Sequence, residues 1–219
     1  MFNLPKTTKV YSIVAKNTFD PYTNTKQRRL FTEVIDRIQW TNELSVNTIN
    51  LEGRNIQELQ IFEIQLKERK NVTELLAIID KAISYHIIFL LRYDGEVMIS
   101  TSKKHPHPAN ENNAVIDWTF NSEWMKEVPY TLNLKQDIDF IYTDFCKQLG
   151  DVADSKVQSL DELIRQKEKI VTLEKEIEKL RTKVKNCKQF NIKVELNLML
   201  QGKLKELEEA TKPNNQPIM

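Results

Sequence analysis

Residues 56–101 read IQELQIFEIQLKERKNVTELLAIIDKAISYHIIFLLRYDGEVMIST, and this stretch decides the fold. Ile56 to Lys67 is rich in β-branched and aromatic residues and alternates through Phe62, Ile64 and Leu66, which predicts a strand. Asn71 is placed to cap a helix over Val72 to Ile83, whose apolar face is Val72, Leu75, Leu76, Ile79 and Ile83. Tyr85 to Arg92 is a nearly continuous apolar run of strand length, as expected of a central strand. Asp94-Gly95 is a hairpin signal, and Glu96 to Thr101 returns as its partner strand.

Working outward, Asn24 or Thr25 caps a helix predicted over Lys26 to Gln39. Its stripe is Leu30, Phe31, Val34, Ile35 and Ile38, and Trp40 ends it. Thr48 to Leu51 reads as a short strand, followed by a turn at Gly53-Arg54-Asn55. Lys103 to Asn113, with two prolines and three asparagines, reads as a loop. Val115 to Phe120 reads as a last strand. A helix over Gln136 to Leu149, burying Ile138, Ile141, Phe145 and Leu149, closes the unit. The predicted class is an α+β or α/β sandwich, a mixed sheet covered by helices, over residues 1–150.

After residue 150 the composition turns to Glu, Lys and Leu, and a long C-terminal coiled-coil helix is expected over 151–211, with 212–219 disordered. From Leu163 an apolar heptad can be read. Leu163, Ile170, Ile177, Val184, Asn191 and Leu198 fall at a positions, and Gln166, Leu173, Leu180, Cys187, Val194 and Gln201 at d positions. β-branched residues at a with Leu at d favour a parallel two-stranded coiled coil, with Asn191 fixing register. The flanking pairs Glu162–Lys167, Lys169–Glu174 and Glu176–Arg181 attract across a parallel dimer, and Lys183–Lys188 repels. Phe190, Ile192, Val194, Leu196, Leu198 and Leu200 alternate like a strand, but the surrounding Lys/Glu/Leu context favours helix. Such a helix is apolar on more than one side, so something else must cover the excess.

Composition narrows the function. The 32 basic and 31 acidic residues in 219 exclude a bulk nucleic-acid binder, and the tail carries fourteen basic against twelve acidic. Gly53, Gly95, Gly150 and Gly202 stand alone, so no glycine-rich phosphate cradle exists. The longest apolar run, Ile87 to Leu91, is too short for a membrane helix. The N-terminus lacks the apolar core of a signal peptide, and Cys146 and Cys187 form no CxxC. A cytoplasmic protein without membrane contact is expected.

Four constellations are candidates for chemistry. Glu63, Gln65 and Lys67 share a strand face in the layout of restriction-type nucleases, where an acid holds Mg²⁺ and a lysine stabilises developing charge. Glu33 and Glu52 are conceivable further ligands. The plain alternative is a solvated strand face. His105 and His107, with Glu111 and Asp117, are weak metal candidates in a proline-stiffened loop. Arg181, Lys183, Lys185 and Lys188, with Lys179, form a basic belt able to touch a phosphate backbone, although such runs on coiled coils are usually solvated. Tyr142 and Cys146 lie on one helical face, where Cys146 lacks a base and reads as core. No cofactor is expected, except Mg²⁺ under the nuclease reading.

The runs INLEG (49–53), QIFEIQLK (60–67), IIDKAISYHIIFLL (78–91), HPHPANENNAVIDWTFNSEW (105–124) and QFNIKVELN (189–197) resemble the bacterial family termed domain of unknown function 4391. That resemblance implies no known activity and no catalytic residues. It does imply a setting, because members tend to be encoded beside methyltransferases and helicases of restriction-modification or phage-defence type. The expectation is an accessory, non-catalytic interaction subunit of a DNA-defence assembly that self-associates or pairs with a partner helix through its tail. A helicase or methyltransferase subunit is the partner class implied, and nucleic-acid contact is possible. The alternative is a divergent metal-dependent nuclease.

Overall fold

The computed structural model describes residues 2–150 and 159–211, in two compact units divided between Leu149 and Gly150. The expected disordered tail, 212–219, lies outside the described residues.

The first unit is built on a six-stranded mixed sheet in sequential order. The strands are β1 (Lys9–Val14), β2 (Ile35–Ser45), β3 (Glu58–Leu66), β4 (His86–Tyr93), β5 (Glu96–His107) and β6 (Asn110–Asn121). Neighbours run antiparallel except β3 and β4, which are parallel because α3 (Thr73–Ala82) crosses between them. Side chains alternate between faces. Phe62, Ile64, Ile87, Phe89 and Leu91 join Phe19, Phe31, Val34, Leu75 and Ile79 in one core, beneath α1 (Thr25–Val34) and α3. The other face of the sheet meets α4 (Ile138–Leu149), which buries Ile138, Ile141, Tyr142 and Phe145.

Helix α1 starts as expected. Asn24 accepts from the Gln27 amide at 2.9 Å, and the Gln27 side chain accepts from the Asn24 amide at 2.8 Å. The predicted extension to Gln39 is wrong: the helix stops at Val34, and Ile35, Ile38 and Trp40 belong to β2. Pairing explains the change. β2 sets Ile38 against Ile64 and Trp40 against Phe62, and the Val34 carbonyl takes the Lys67 amide at 2.8 Å. A helix through Gln39 would leave that edge of β3 without a hydrogen-bonding partner.

Two further readings are corrected. Thr48 to Leu51 is not a strand. Val46–Ile49 is the short helix α2, in which the Thr48 hydroxyl accepts from the Ser45 amide at 2.9 Å, and Asn50 ends it with φ of 53°. Lys103 to Asn113 is not a loop but the far end of the β5–β6 hairpin, with His105 opposite Val115 and Pro106 opposite Ala114. Pro106 fits because β5 pairs with β4 only as far as Thr101, so no amide is needed on that side. β1 is an edge strand that the periodicity leaves unassigned.

The Asp94-Gly95 hairpin stands, with φ of 45° and 76° at the two turn residues. Gly95→Ala should therefore cost about 1 kcal/mol. Urea unfolding would show it as a lower midpoint at unchanged slope.

The second unit is two helices rather than one. α5 (Leu160–Asn186) ends at Cys187, and α6 (Phe190–Thr211) follows after three residues. They pack antiparallel: Gln166 reaches the Ala210 carbonyl at 3.3 Å, and Lys203 pairs with Glu176 at 3.2 Å. Residues 190–200 are helical, as their context indicated.

Candidate functional site

The strand constellation is in place but differently engaged. Glu63 and Gln65 project on the same face of β3. Arg92 from β4 holds the Glu63 carboxylate at 2.7 Å. Lys67 lies just past the end of β3 and donates to the Thr32 carbonyl at 2.8 Å, near the C-terminal end of α1. Helix C-termini carry unsatisfied carbonyls and partial negative charge, so an ammonium is at home there. Lys16 reaches the neighbouring Ile35 carbonyl at 2.5 Å. Of the supplementary acids, Glu33 pairs with Arg29 on its own helix at 2.6 Å. Among the described residues, no group of three His, Cys, Asp or Glu side chains is placed to hold a metal.

The histidines are similarly occupied. His105 Nδ1 lies 2.9 Å from Asp117, whose other oxygen is 3.7 Å from Lys103. His107 Nδ1 accepts the Ala109 amide at 3.1 Å, tightening the hairpin turn. The side chain of Glu111 lies outside the described residues.

Two buried polar groupings were not legible in the sequence. Lys104 and Asp80 form an ion pair at 2.7 Å with each side chain 1% exposed. The Lys104 ammonium also donates to the Asp80 and Ile83 carbonyls at 2.8 Å each, so all three protons have acceptors near the end of α3. Burial lowers its pKa, and Asp80 works in the opposite sense. A signal did exist: Asp80 interrupts the apolar stripe of α3. Lys104, in an apparent loop, offered none.

On the α4 side of the sheet the Tyr142 hydroxyl meets Thr101 at 2.9 Å, and Thr101 donates to the Ile87 carbonyl at 2.7 Å. The His86 ring packs edge-on against Tyr142 at 4.9 Å. Burial first, then Lys104 and Lys103, lower the His86 imidazole to about 4, while Asp139 and Asp117 oppose the shift. Burial pushes the Tyr142 hydroxyl and the Cys146 thiol up, so both stay protonated at neutral pH. Cys146 is therefore core material and not a nucleophile.

The tail gives a different picture. The heptad stripe is buried only along α5. Leu163, Leu173 and Ile177 are enclosed, Ile170, Leu180 and Val184 are half-buried, and from Gln166 onward α6 of the same chain packs along α5 where a second chain was expected. Cys187 sits in the break, with its amide on the Lys183 carbonyl at 3.0 Å, and Asn191 is exposed in the first turn of α6. Neither of these, nor Val194 and Leu198, which are exposed on α6, extends the seam, because α5 ends before them. Glu176 pairs with Lys203 rather than being held for a partner's Arg181. In the basic belt, Arg181 lies 3.7 Å from Glu178, Lys183 lines a groove between the helices, and Lys185 and Lys188 are exposed.

On α6, Leu196, Leu200 and Leu207 are half-buried on one side. Phe190, Val194 and Leu198, spaced by four, fall on the opposite side and are 79%, 43% and 68% exposed. The groove, about 550 Å³, is lined by Leu180 and Met199 among Glu176, Lys179, Lys183, Lys203 and Glu206, and Gly202 leaves it open. No helix among the described residues is long and apolar enough to cross a membrane.

The family model described as "Domain of unknown function (DUF4391)" matches residues 2–207, which span both units. No curated protein matches the chain, and no solved structure does.

Proposed function

The chain belongs to the domain of unknown function 4391 family, and from that premise we propose that it is a non-catalytic interaction subunit of a bacterial DNA-defence assembly, docking through its helical hairpin. The observation that carries this reading is the outer stripe of α6. Three large apolar side chains two turns long face solvent on a helix whose other side is already packed. Single exposed apolar residues are ordinary, but an aligned stripe is the usual form of a helical docking face. The engagement of Glu63 by Arg92 and of Lys67 by Thr32 weighs in the same direction, since both candidate catalytic groups already have structural partners.

The partner class in this proposal is a methyltransferase or helicase subunit. Val194→Glu with Leu198→Glu tests the reading, because neither side chain contributes to the buried side of α6 and helix content should not change. Affinity capture from the native host should enrich a methyltransferase or helicase on the native chain, with at least a tenfold loss on the double variant. Equal recovery on both chains would overturn the assignment of this face. Mg²⁺-dependent DNA cleavage lost in Lys67→Ala would overturn the non-catalytic reading itself.

A further inference from the structure

The last two turns of α5 carry a charge pattern that its earlier turns do not. From Leu160 to Glu178 six acids and four bases are interspersed, whereas from Lys179 to Lys188 there are five bases and no acid. The helix dipole accounts for cations in the last turn, where Lys183 and Lys185 stand, but not for Lys179, Arg181 or Lys188. Their spacing has a geometric consequence, because successive helical side chains advance by about 100°. Leu180 and Val184 are half-buried on the side that meets α6. Relative to that seam, Lys179 and Lys183 fall on one flank of α5, and Arg181 and Lys185 fall on the other. Thr182 and Asn186, neutral and exposed, form the crest between the flanks and lie away from α6. All four flank bases are exposed. Among the described residues, Lys179, Lys183 and Lys185 have no carboxylate partner, and Arg181 has only Glu178, 3.7 Å away at the surface. So long and exposed a pair holds the guanidinium weakly.

We propose that these two turns lie in the major groove of duplex DNA, with one basic flank against each phosphate wall. An acidic peptide or an anionic membrane meets a helix from one face, and calls for bases on a single stripe at i, i+3 and i+4 spacing. Bases on two opposite flanks with a neutral crest call for a ligand that is anionic on both sides of the helix. The major groove of B-DNA, about 12 Å wide and about 8.5 Å deep, admits a helix and is walled by phosphates on both sides. The deep, narrow major groove of duplex RNA does not admit one, and a single strand presents one line of phosphates. With 32 basic and 31 acidic residues in the chain, no global field draws DNA elsewhere, so the attraction is local to this end of α5. The outer stripe of α6 lies on the opposite side of the hairpin. The inference therefore does not rest on the docking reading, and both surfaces can be occupied together.

The test uses the full chain and the fluorescence anisotropy of a labelled duplex of about 20 base pairs. Four phosphate contacts should give a log–log salt slope of about −3.6, or about a hundredfold loss of affinity between 50 and 200 mM salt. Lys179→Gln with Lys183→Gln, and Arg181→Gln with Lys185→Gln, should each bring the slope to about −1.8 and weaken binding at least tenfold at 50 mM salt. Thr182→Glu, which sets an acid on the crest, should do the same to affinity. Lys183→Arg with Lys185→Arg should bind like the native chain, since phosphates accept either cation, and circular dichroism should show native helix content in every variant. Duplex RNA and single-stranded DNA of the same sequence should bind at least tenfold more weakly than the DNA duplex.

No anisotropy change at about 100 μM chain in 50 mM salt, where even non-specific phosphate contact registers, would overturn the groove assignment. So would a loss confined to one flank, or tighter binding to anionic phospholipid vesicles or poly-glutamate than to the duplex. If the duplex is not bound yet a methyltransferase or helicase is still captured through α6, this inference fails and the docking reading stands. If the duplex is bound and neither is captured, the reverse holds.

Discussion

Lys104→Met is expected to destabilise the first unit by about 3–5 kcal/mol, a loss far larger than a surface polar substitution causes. The methionine fills the space of the lysine stem, so little packing is lost. What changes is that the Asp80 carboxylate, 1% exposed, and the carbonyls of Asp80 and Ile83 lose the ammonium that satisfies them. Leaving a charge buried and unpaired costs far more than the pair contributes when intact. Asp80→Asn added to Lys104→Met should recover part of the loss, because it removes the uncompensated charge while keeping shape. Denaturant unfolding of the three variants checks this. A loss below 1 kcal/mol for Lys104→Met, or no recovery in the double variant, would mean that the pair is hydrated rather than buried. The pair sits where α3 meets β5, so it also fixes the end of the crossover that sets β3 and β4 parallel.

The second large effect is acid lability through His86. Folding lowers this imidazole from the ordinary 6.5 to about 4. Above pH 6.5 it is neutral in both the folded and the unfolded chain, and its contribution is fully present. Between 6.5 and 4 the unfolded chain binds a proton that the folded chain refuses, so stability falls as the pH falls. At about 1.4 kcal/mol per pH unit this amounts to about 3 kcal/mol by pH 4. The charges of Lys104, Lys103, Asp139 and Asp117 all act on this imidazole, and their opposing effects are already contained in the lowered value. Unfolding free energies measured from pH 7.5 to 4 should therefore drop more steeply for the native chain than for His86→Phe, which keeps an aromatic ring against Tyr142. Parallel pH profiles for the two chains would show that the imidazole is not held neutral by its site.

The contrast between α3 and β2 shows what local sequence can and cannot specify. Val72 to Ile83 and Tyr85 to Arg92 each have one period and one length, so helix and strand are read directly, and the Asp94-Gly95 turn joins its strands without ambiguity. Ile35 and Ile38 satisfy both periods. Their fate depends on β3, whose exposed edge needs a partner, and that information lies some 25 residues downstream. Pro106 and the asparagines of the β5–β6 tip mislead for a related reason. Proline is excluded from a strand only where its missing amide is needed, and whether it is needed depends on which neighbours pair.

The candidate site divides in the same way. Sequence spacing placed Glu63 and Gln65 on one face, since alternation is a property of the strand itself. It could not show that Arg92 would neutralise Glu63 or that Lys67 would turn to the end of α1, because both are contacts between separate elements. The heptad from Leu163 to Val184 is real as a seam and was readable as one. Its partner was not, because an apolar stripe is equally well buried by a second chain or by α6 folding back.

By itself, then, the sequence determined the elements with a single periodicity, the mixed sheet with its covering helices, the change to a helical tail and the surplus of apolar side chains around residues 190–200. Short-range periodicity and composition are sufficient for these. Only the tertiary structure decided that β2 is a strand, that Lys104 and Asp80 are buried together, and that the tail turns at Cys187 so that α5 and α6 cover one another. These depend on which surfaces meet, and a surface has no preference for its partner until packing and desolvation supply one.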